Sequence, residues 1–165
     1  MAITIGKDTY VTTAEADEYI EAQRKESDAL RVHWSVLTEQ EKELYLRKSC
    51  QQIERVMFIG KKYYADQVLA FPRRRNAGGG YIPCNPLYHY LQDEKEVPQE
   101  VKAAQIENAL GIIRSEYTSF RNDPFLKALG ILPDVAQMPA EPVQNCLESD
   151  YAATLLNGWT GAGRV

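Results

Sequence analysis

The chain is poor in the side chains that usually perform chemistry. It has 2 histidines and 3 cysteines in 165 residues. Nucleophilic catalysis needs a nucleophile, a base and a group that orients the base. His33 sits beside Trp34, and His89 lies in a tyrosine-rich stretch. Neither has such company in sequence, and no enzyme role is expected. Cys50, Cys84 and Cys146 are widely and irregularly spaced, with no Cys-x-x-Cys pair. That argues against a zinc site, which needs four converging ligands. No cofactor is expected. No apolar run approaches the roughly 18–20 residues that span a bilayer, so no membrane partner is expected. The first residues, Met-Ala-Ile-Thr-Ile-Gly-Lys, lack the basic-then-apolar layout of a signal peptide. Synthesis in the cytoplasm is the expectation.

Other motifs are present only in outline. Gly78-Gly-Gly80 runs into Tyr81-Ile-Pro rather than Lys-Ser/Thr, so it is not a phosphate loop. Glu39/Glu43 and Glu96/Glu100 are spaced i, i+4, but they fall near helix starts, where acids favour the helix dipole.

What the chain does have is an uneven charge distribution. The net charge is −4. Residues 1–46 hold five basic and ten acidic side chains, and residues 47–75 hold eight basic and two acidic. The centre is therefore a basic island between acidic flanks. Such a layout suits contact between copies, an acidic partner such as DNA, or an unevenly charged solvated surface.

Helical signals are clear in three places. Thr12 followed by Glu15 has capping-box spacing, and Ala16, Tyr19, Ile20 and Gln23 continue to about Lys25. Thr38 with Glu41 repeats it, and an apolar stripe of Leu44, Leu46, Cys50, Ile53, Val56 and Met57 runs through Phe58 toward a stop at Gly60. Pro98 opens a third helix, whose Val101, Ala104, Ala109, Ile112, Ile113 and Tyr117 form a broad face to about Phe120. Gly111 weakens that helix or lets a neighbour come close. The expected fold is mainly α: a small bundle of three main helices, with a long interaction loop and an extended C-terminal arm. Residues 1–122 form the helical core, including the loop 73–96, and residues 123–165 form the arm. Pro124, Pro133, Pro139 and Pro142 preclude a long helix before about residue 143, and a short one fits Leu147–Leu156.

Lys61-Lys62-Tyr63-Tyr64 and Arg73-Arg74-Arg75 are candidate interaction residues, joined by Tyr81, Tyr88 and Tyr90 of the loop. Basic and aromatic side chains together neutralise phosphates and stack bases. They are equally the residues favoured at protein interfaces, and the tyrosines also fit a role covering the domain's own core. On the arm, Leu155, Leu156, Trp159 and Arg164 are candidate docking residues. With them goes the expectation that truncation after about residue 122 leaves a folded core that no longer assembles.

Four segments in order resemble a family of small tailed-phage proteins called DnaT-like. They are Tyr10-Val-Thr-Thr-Ala-Glu-Ala-Asp-Glu-Tyr19, Phe58-Ile-Gly60, Gln67-Val-Leu-Ala-Phe-Pro-Arg73 and the helix from Val97 to Ala109. The likeness covers about residues 10–117. It implies a structural head-to-tail adaptor in the virion neck, placed at the head–tail junction. The adaptor would be a ring of self-associated copies, typically twelve, between the portal protein and the tail or neck proteins. It would frame the channel for genomic DNA, with the arm docked on the portal. The alternative is a single-stranded DNA-binding replication accessory protein.

Overall fold

The computed structural model describes residues 3–74, 96–121 and 147–160. Each helix starts where the sequence supplies a cap. The Thr12 hydroxyl accepts from the Glu15 backbone N–H at 3.0 Å, and the Glu15 carboxylate accepts from the Thr12 N–H at 2.8 Å. This closes a capping box at the head of α1 (Thr13–Gln23). Asp28 caps α2 (Ala29–Val36) through the Leu30 N–H. Thr38 and Glu41 form a second box on α3 (Glu39–Ile53). Pro98 precedes α4 (Gln99–Arg121), and its carbonyl accepts the first helical bonds from Val101 and Lys102. Ser149 caps α5 (Asp150–Leu156), which runs into a 3-10 turn, Asn157–Trp159. Two short antiparallel strands, β1 (Lys61–Lys62) and β2 (Arg73–Arg74), complete the described elements. The protein is a mainly helical small bundle. Among the described residues, no helix is long and apolar enough to cross a membrane.

Helix α4 is the axis of the bundle and packs chiefly on α3 and α5. From Val101 to Ile113 it is buried at nearly every position, including Gln105, Glu107 and Asn108. A helix enclosed all round needs small residues where neighbours approach and partners for every polar group. Both conditions are met. A methyl placed on Gly111 would lie 2.8 Å from the Glu148 carbonyl carbon and oxygen, so the absent side chain lets the 147–150 segment cross the helix.

The polar groups form one buried network. Gln105 donates to the Thr9 hydroxyl at 2.7 Å and the Leu46 carbonyl at 2.8 Å, and accepts from the Tyr10 N–H at 2.9 Å. Ser49 donates to the Gln105 carbonyl at 2.6 Å. Asn108 donates to Gln52 at 2.8 Å and accepts from the Glu148 N–H at 2.8 Å. The Val-Lys-x-x-Gln-x-Glu-Asn run of α4 is thus a register device that ties the N-terminus, α3 and the C-terminal segment to one helix. Ion pairs do the same nearer the surface: Lys102 with Glu15 at 2.7 Å, and Arg24 with Glu107 at 2.8 Å.

The bundle differs from the sequence expectation in two places. The apolar stripe after Thr38 suggests helix through Phe58, whereas α3 ends at Ile53. Past Ile53 the backbone tightens into turns, Arg55 N–H donating to the Gln52 carbonyl at 3.1 Å and Val56 N–H to the Ile53 carbonyl at 2.9 Å, and the Glu54 carboxylate accepts from the Ala70 N–H at 2.9 Å and 3.1 Å. Leu44 and Met57, read as stripe residues, are 45% and 65% exposed. Helix α2 has no counterpart in that reading. It seats Trp34 on α1, with the indole N–H donating to Asp17 at 2.6 Å.

Residues 147–160 are integral to the same core. Leu147, Ala152, Leu156 and Trp159 are buried. Ile59 N–H donates to the Trp159 carbonyl at 2.9 Å, and Phe58 bridges to Thr160. The residues described within the expected arm therefore lie against α4 and the 58–74 segment.

Candidate functional site

Residues 58–74 form a lobe built on one aromatic hub. Phe71 stacks edge-to-face with Phe58 at 4.7 Å, Trp159 at 5.1 Å and Tyr10 at 6.1 Å between ring centroids. Such pairs add about 0.5–1.5 kcal/mol beyond the area they bury. Behind the hub, the Tyr10 hydroxyl donates to Glu54 and accepts from the Phe71 N–H. Burial first, and then the Glu54 charge, push the Tyr10 phenol far above its ordinary range. It stays a neutral donor, locking the lobe to α3. The Phe71–Pro72 peptide is cis.

In front of the hub lies Arg73. Its Nε donates to the Ile59 carbonyl at 2.9 Å and Nη1 to the Ala70 carbonyl at 3.2 Å. Nη2 donates to the carbonyls of Gly60 at 2.6 Å and Phe58 at 3.2 Å. The same guanidinium lies 5.8 Å from the Phe58 ring centroid. A planar fork with five donors can tie four carbonyls together at once; an ammonium cannot. Gly60 presents its carbonyl from φ +87, a left-handed conformation that favours glycine.

The chain between the strands is folded by Gln67. Its amide donates to the carbonyls of Leu69 and Pro72 at 2.8 Å and 3.0 Å, while its oxygen accepts from the Tyr64 N–H at 3.0 Å. Lys62 donates to the Val68 carbonyl at 2.6 Å and the Gln67 carbonyl at 3.2 Å.

The result joins what the sequence keeps apart. Lys61 pairs with Arg74 and Lys62 with Arg73 across the ribbon. Tyr63 and Tyr64 follow directly, their rings edge-to-face at 4.7 Å. Lys61, Lys62 and Tyr64 are exposed and Arg73 is half-buried; Lys62 and Arg73 also donate to backbone carbonyls. The two basic segments named from sequence are thus adjacent in the fold, and part of their charge is spent on backbone carbonyls. Sequence reasoning misses the exposed apolar side chains beside the ribbon: Met57, Ile59 at 39% and Val68 at 56% exposure. Val68 opens the apolar run Val68-Leu69-Ala70-Phe71, and no signal in the sequence sets it apart from the buried residues that follow.

Of the remaining candidates, Arg75, Tyr81, Tyr88, Tyr90 and Arg164 lie outside the described residues. Leu156 and Trp159 are enclosed by their own chain, and Leu155 is half-buried. These leucines and the tryptophan are core side chains in this fold, because α5 and the 3-10 turn fill the space between α4 and Phe71.

The four segments that carry the resemblance are now seen to meet. Tyr10 touches the Leu-Ala-Phe-Pro-Arg run through Glu54, Phe58 and Gly60 are held by Arg73, and Gln105 of α4 holds the Tyr10 backbone. They are the stitching of one fold, with the lobe as its outer face. No curated protein and no solved structure matches the chain. The model of the family described as "Putative DnaT-like ssDNA binding protein" matches residues 2–127 of the 165. The chain belongs to this DnaT-like family.

Proposed function

We propose that the protein binds single-stranded DNA through the 58–74 lobe. The observation that carries this is the ribbon itself: two basic strands zipped side by side, followed by an aromatic pair of which Tyr63 is half-buried and Tyr64 exposed. Lys61 is placed to meet phosphate, and Tyr64 offers a ring face to a base. Stacking of this kind contributes about 1–3 kcal/mol per base and tolerates any sequence. The family description, with its single-stranded DNA, agrees with this reading. Because Lys62 and Arg73 already donate to backbone carbonyls, few phosphates are contacted. The test is fluorescence anisotropy of a labelled oligothymidylate over a salt series. Log affinity should fall with log salt by about 0.7 per phosphate contact, with a shallow total slope. An oligonucleotide that does not bind even at low salt removes the proposal.

A second reading is favoured by the same internal use of charge. With Lys62 and Arg73 engaged, the lobe presents Met57, Ile59, Tyr64 and Val68 as an exposed apolar fringe, which suits a protein partner. On that reading the chain is a structural adaptor of a tailed-phage virion, ringed between portal and tail. Stoichiometric capture on portal-bearing capsids, indifferent to added oligonucleotide, supports it over DNA binding.

A further inference from the structure

Resting on the assignment of the lobe as the binding site, we infer that Arg73 is a positioning residue and not a phosphate contact. Its charge and its place in an Arg-Arg-Arg run suggest the opposite from sequence. The geometry decides the matter. Four of its hydrogen bonds go to the carbonyls of Phe58, Ile59, Gly60 and Ala70. Those carbonyls belong to the two chain segments leading into β1 and β2, so the guanidinium is a clasp across the base of the ribbon. Its Cζ lies over the Phe58 ring and, at 6.0 Å from the centroid, over Phe71, and with four of the five N–H donors spent on carbonyls a two-bonded grip on a phosphate would release a carbonyl. An anion that drew it away would uncouple the strands that present Lys61 and Tyr64. Gln67 performs the companion task at the far end, bracing the Tyr64 N–H and the Pro72 carbonyl.

The experiment compares the full-length wild type with Arg73→Lys, Gln67→Ala and Lys61→Gln. Two readouts are taken: oligothymidylate affinity over a salt series, and amide hydrogen exchange. Arg73→Lys keeps the charge and loses the fork. It should speed exchange of the Ile59 and Tyr63 amides, bonded to Trp159 and Pro72, by about tenfold or more. Exchange inside α4 should not change. Affinity should fall severalfold with an unaltered salt slope, and Gln67→Ala should behave likewise. Lys61→Gln should leave exchange as in wild type and reduce the slope by about 0.7. Wild-type exchange in both Arg73→Lys and Gln67→Ala overturns the inference. So does a loss of slope in Arg73→Lys matching that of Lys61→Gln. If the wild type binds no oligonucleotide, the DNA reading fails, and the exchange arm still decides whether Arg73 is the clasp. Should Arg73→Lys unfold as a whole, seen as faster exchange in α4 as well, the wild-type Arg73 Nε–H resonance gives the decision: unmoved and slow to exchange through the oligothymidylate titration it supports the clasp, and shifted on binding it overturns it.

Discussion

At the scale of single residues, the polar side chains of this protein mostly hold backbone. Tyr10 is the clearest case, since its hydroxyl serves Glu54 on one side and the Phe71 N–H on the other. Tyr10→Phe removes that donor and leaves a carboxylate and an amide short of partners. A loss of about 1–3 kcal/mol is expected, read as a lower urea midpoint at an unchanged slope. The phenols also fix the alkaline limit of stability. Burial, followed by the Glu107 charge, pushes Tyr19 to about 12. Burial, followed by the Glu116 hydrogen bond, pushes Tyr45 to about 12, and Tyr10 is raised further in the same direction. These groups keep their protons in the fold at a pH where the unfolded chain releases them, near 10. The fold therefore has their full contribution below pH 10 and loses it as pH climbs from 10 toward 12. Chemical denaturation at a ladder of alkaline pH values should show a falling midpoint across that window. A flat profile there contradicts the buried hydrogen-bonded phenols.

At the scale of elements, the caps and periodicities were readable and the terminations were not. Thr12/Glu15 and Thr38/Glu41 announce α1 and α3, and Pro98 announces α4, because a cap is a local matter of one side chain and one N–H. The end of α3 is not local. There Glu54 meets Tyr10 and Ala70, 44 and 16 residues away in sequence, so an apolar stripe that runs on to Met57 misleads. The ribbon was invisible for a similar reason: strands of two residues carry no period, and their pairing is set by the Arg73 clasp. Helix α2 is short and shows only one buried residue, Trp34. The crossing of α4 by the 147–150 segment gives an element-level prediction. Alanine is a better helix former than glycine by about 1 kcal/mol, yet Gly111→Ala drives a methyl to within 2.8 Å of backbone. Overpacking of that kind costs about 1–3 kcal/mol, so the substitution should lower the thermal midpoint instead of raising it.

For the whole molecule, the consequential difference between sequence and structure lies at the C-terminal end. Proline spacing suggests an arm that finds its surface elsewhere. The described part instead completes the core, with Leu147, Leu156 and Trp159 closing α4 and the Phe71 hub. Truncation after residue 122 should therefore not leave an intact bundle. It exposes the buried side of α4 and strips one wall from the lobe, and a side chain such as Trp159 alone is worth about 3–5 kcal/mol. A truncated chain with a broad, non-cooperative melt is the expected result. The two basic segments were legible in the sequence, and Lys61-Lys62 and Arg73-Arg74 do pair in the fold. Their distribution of free and engaged charge was not legible, because only the fold reveals which cations hold carbonyls.

The central proposal is that the lobe, and not helices α1 and α2, meets single-stranded DNA. The most direct test is amide chemical-shift mapping of the full-length protein during titration with an oligothymidylate at low salt. Shifts confined to the residues around Met57–Val68, with α1 and α2 unmoved, are the predicted result. Saturable shifts centred on α1 and α2, or no shifts at all, would contradict it.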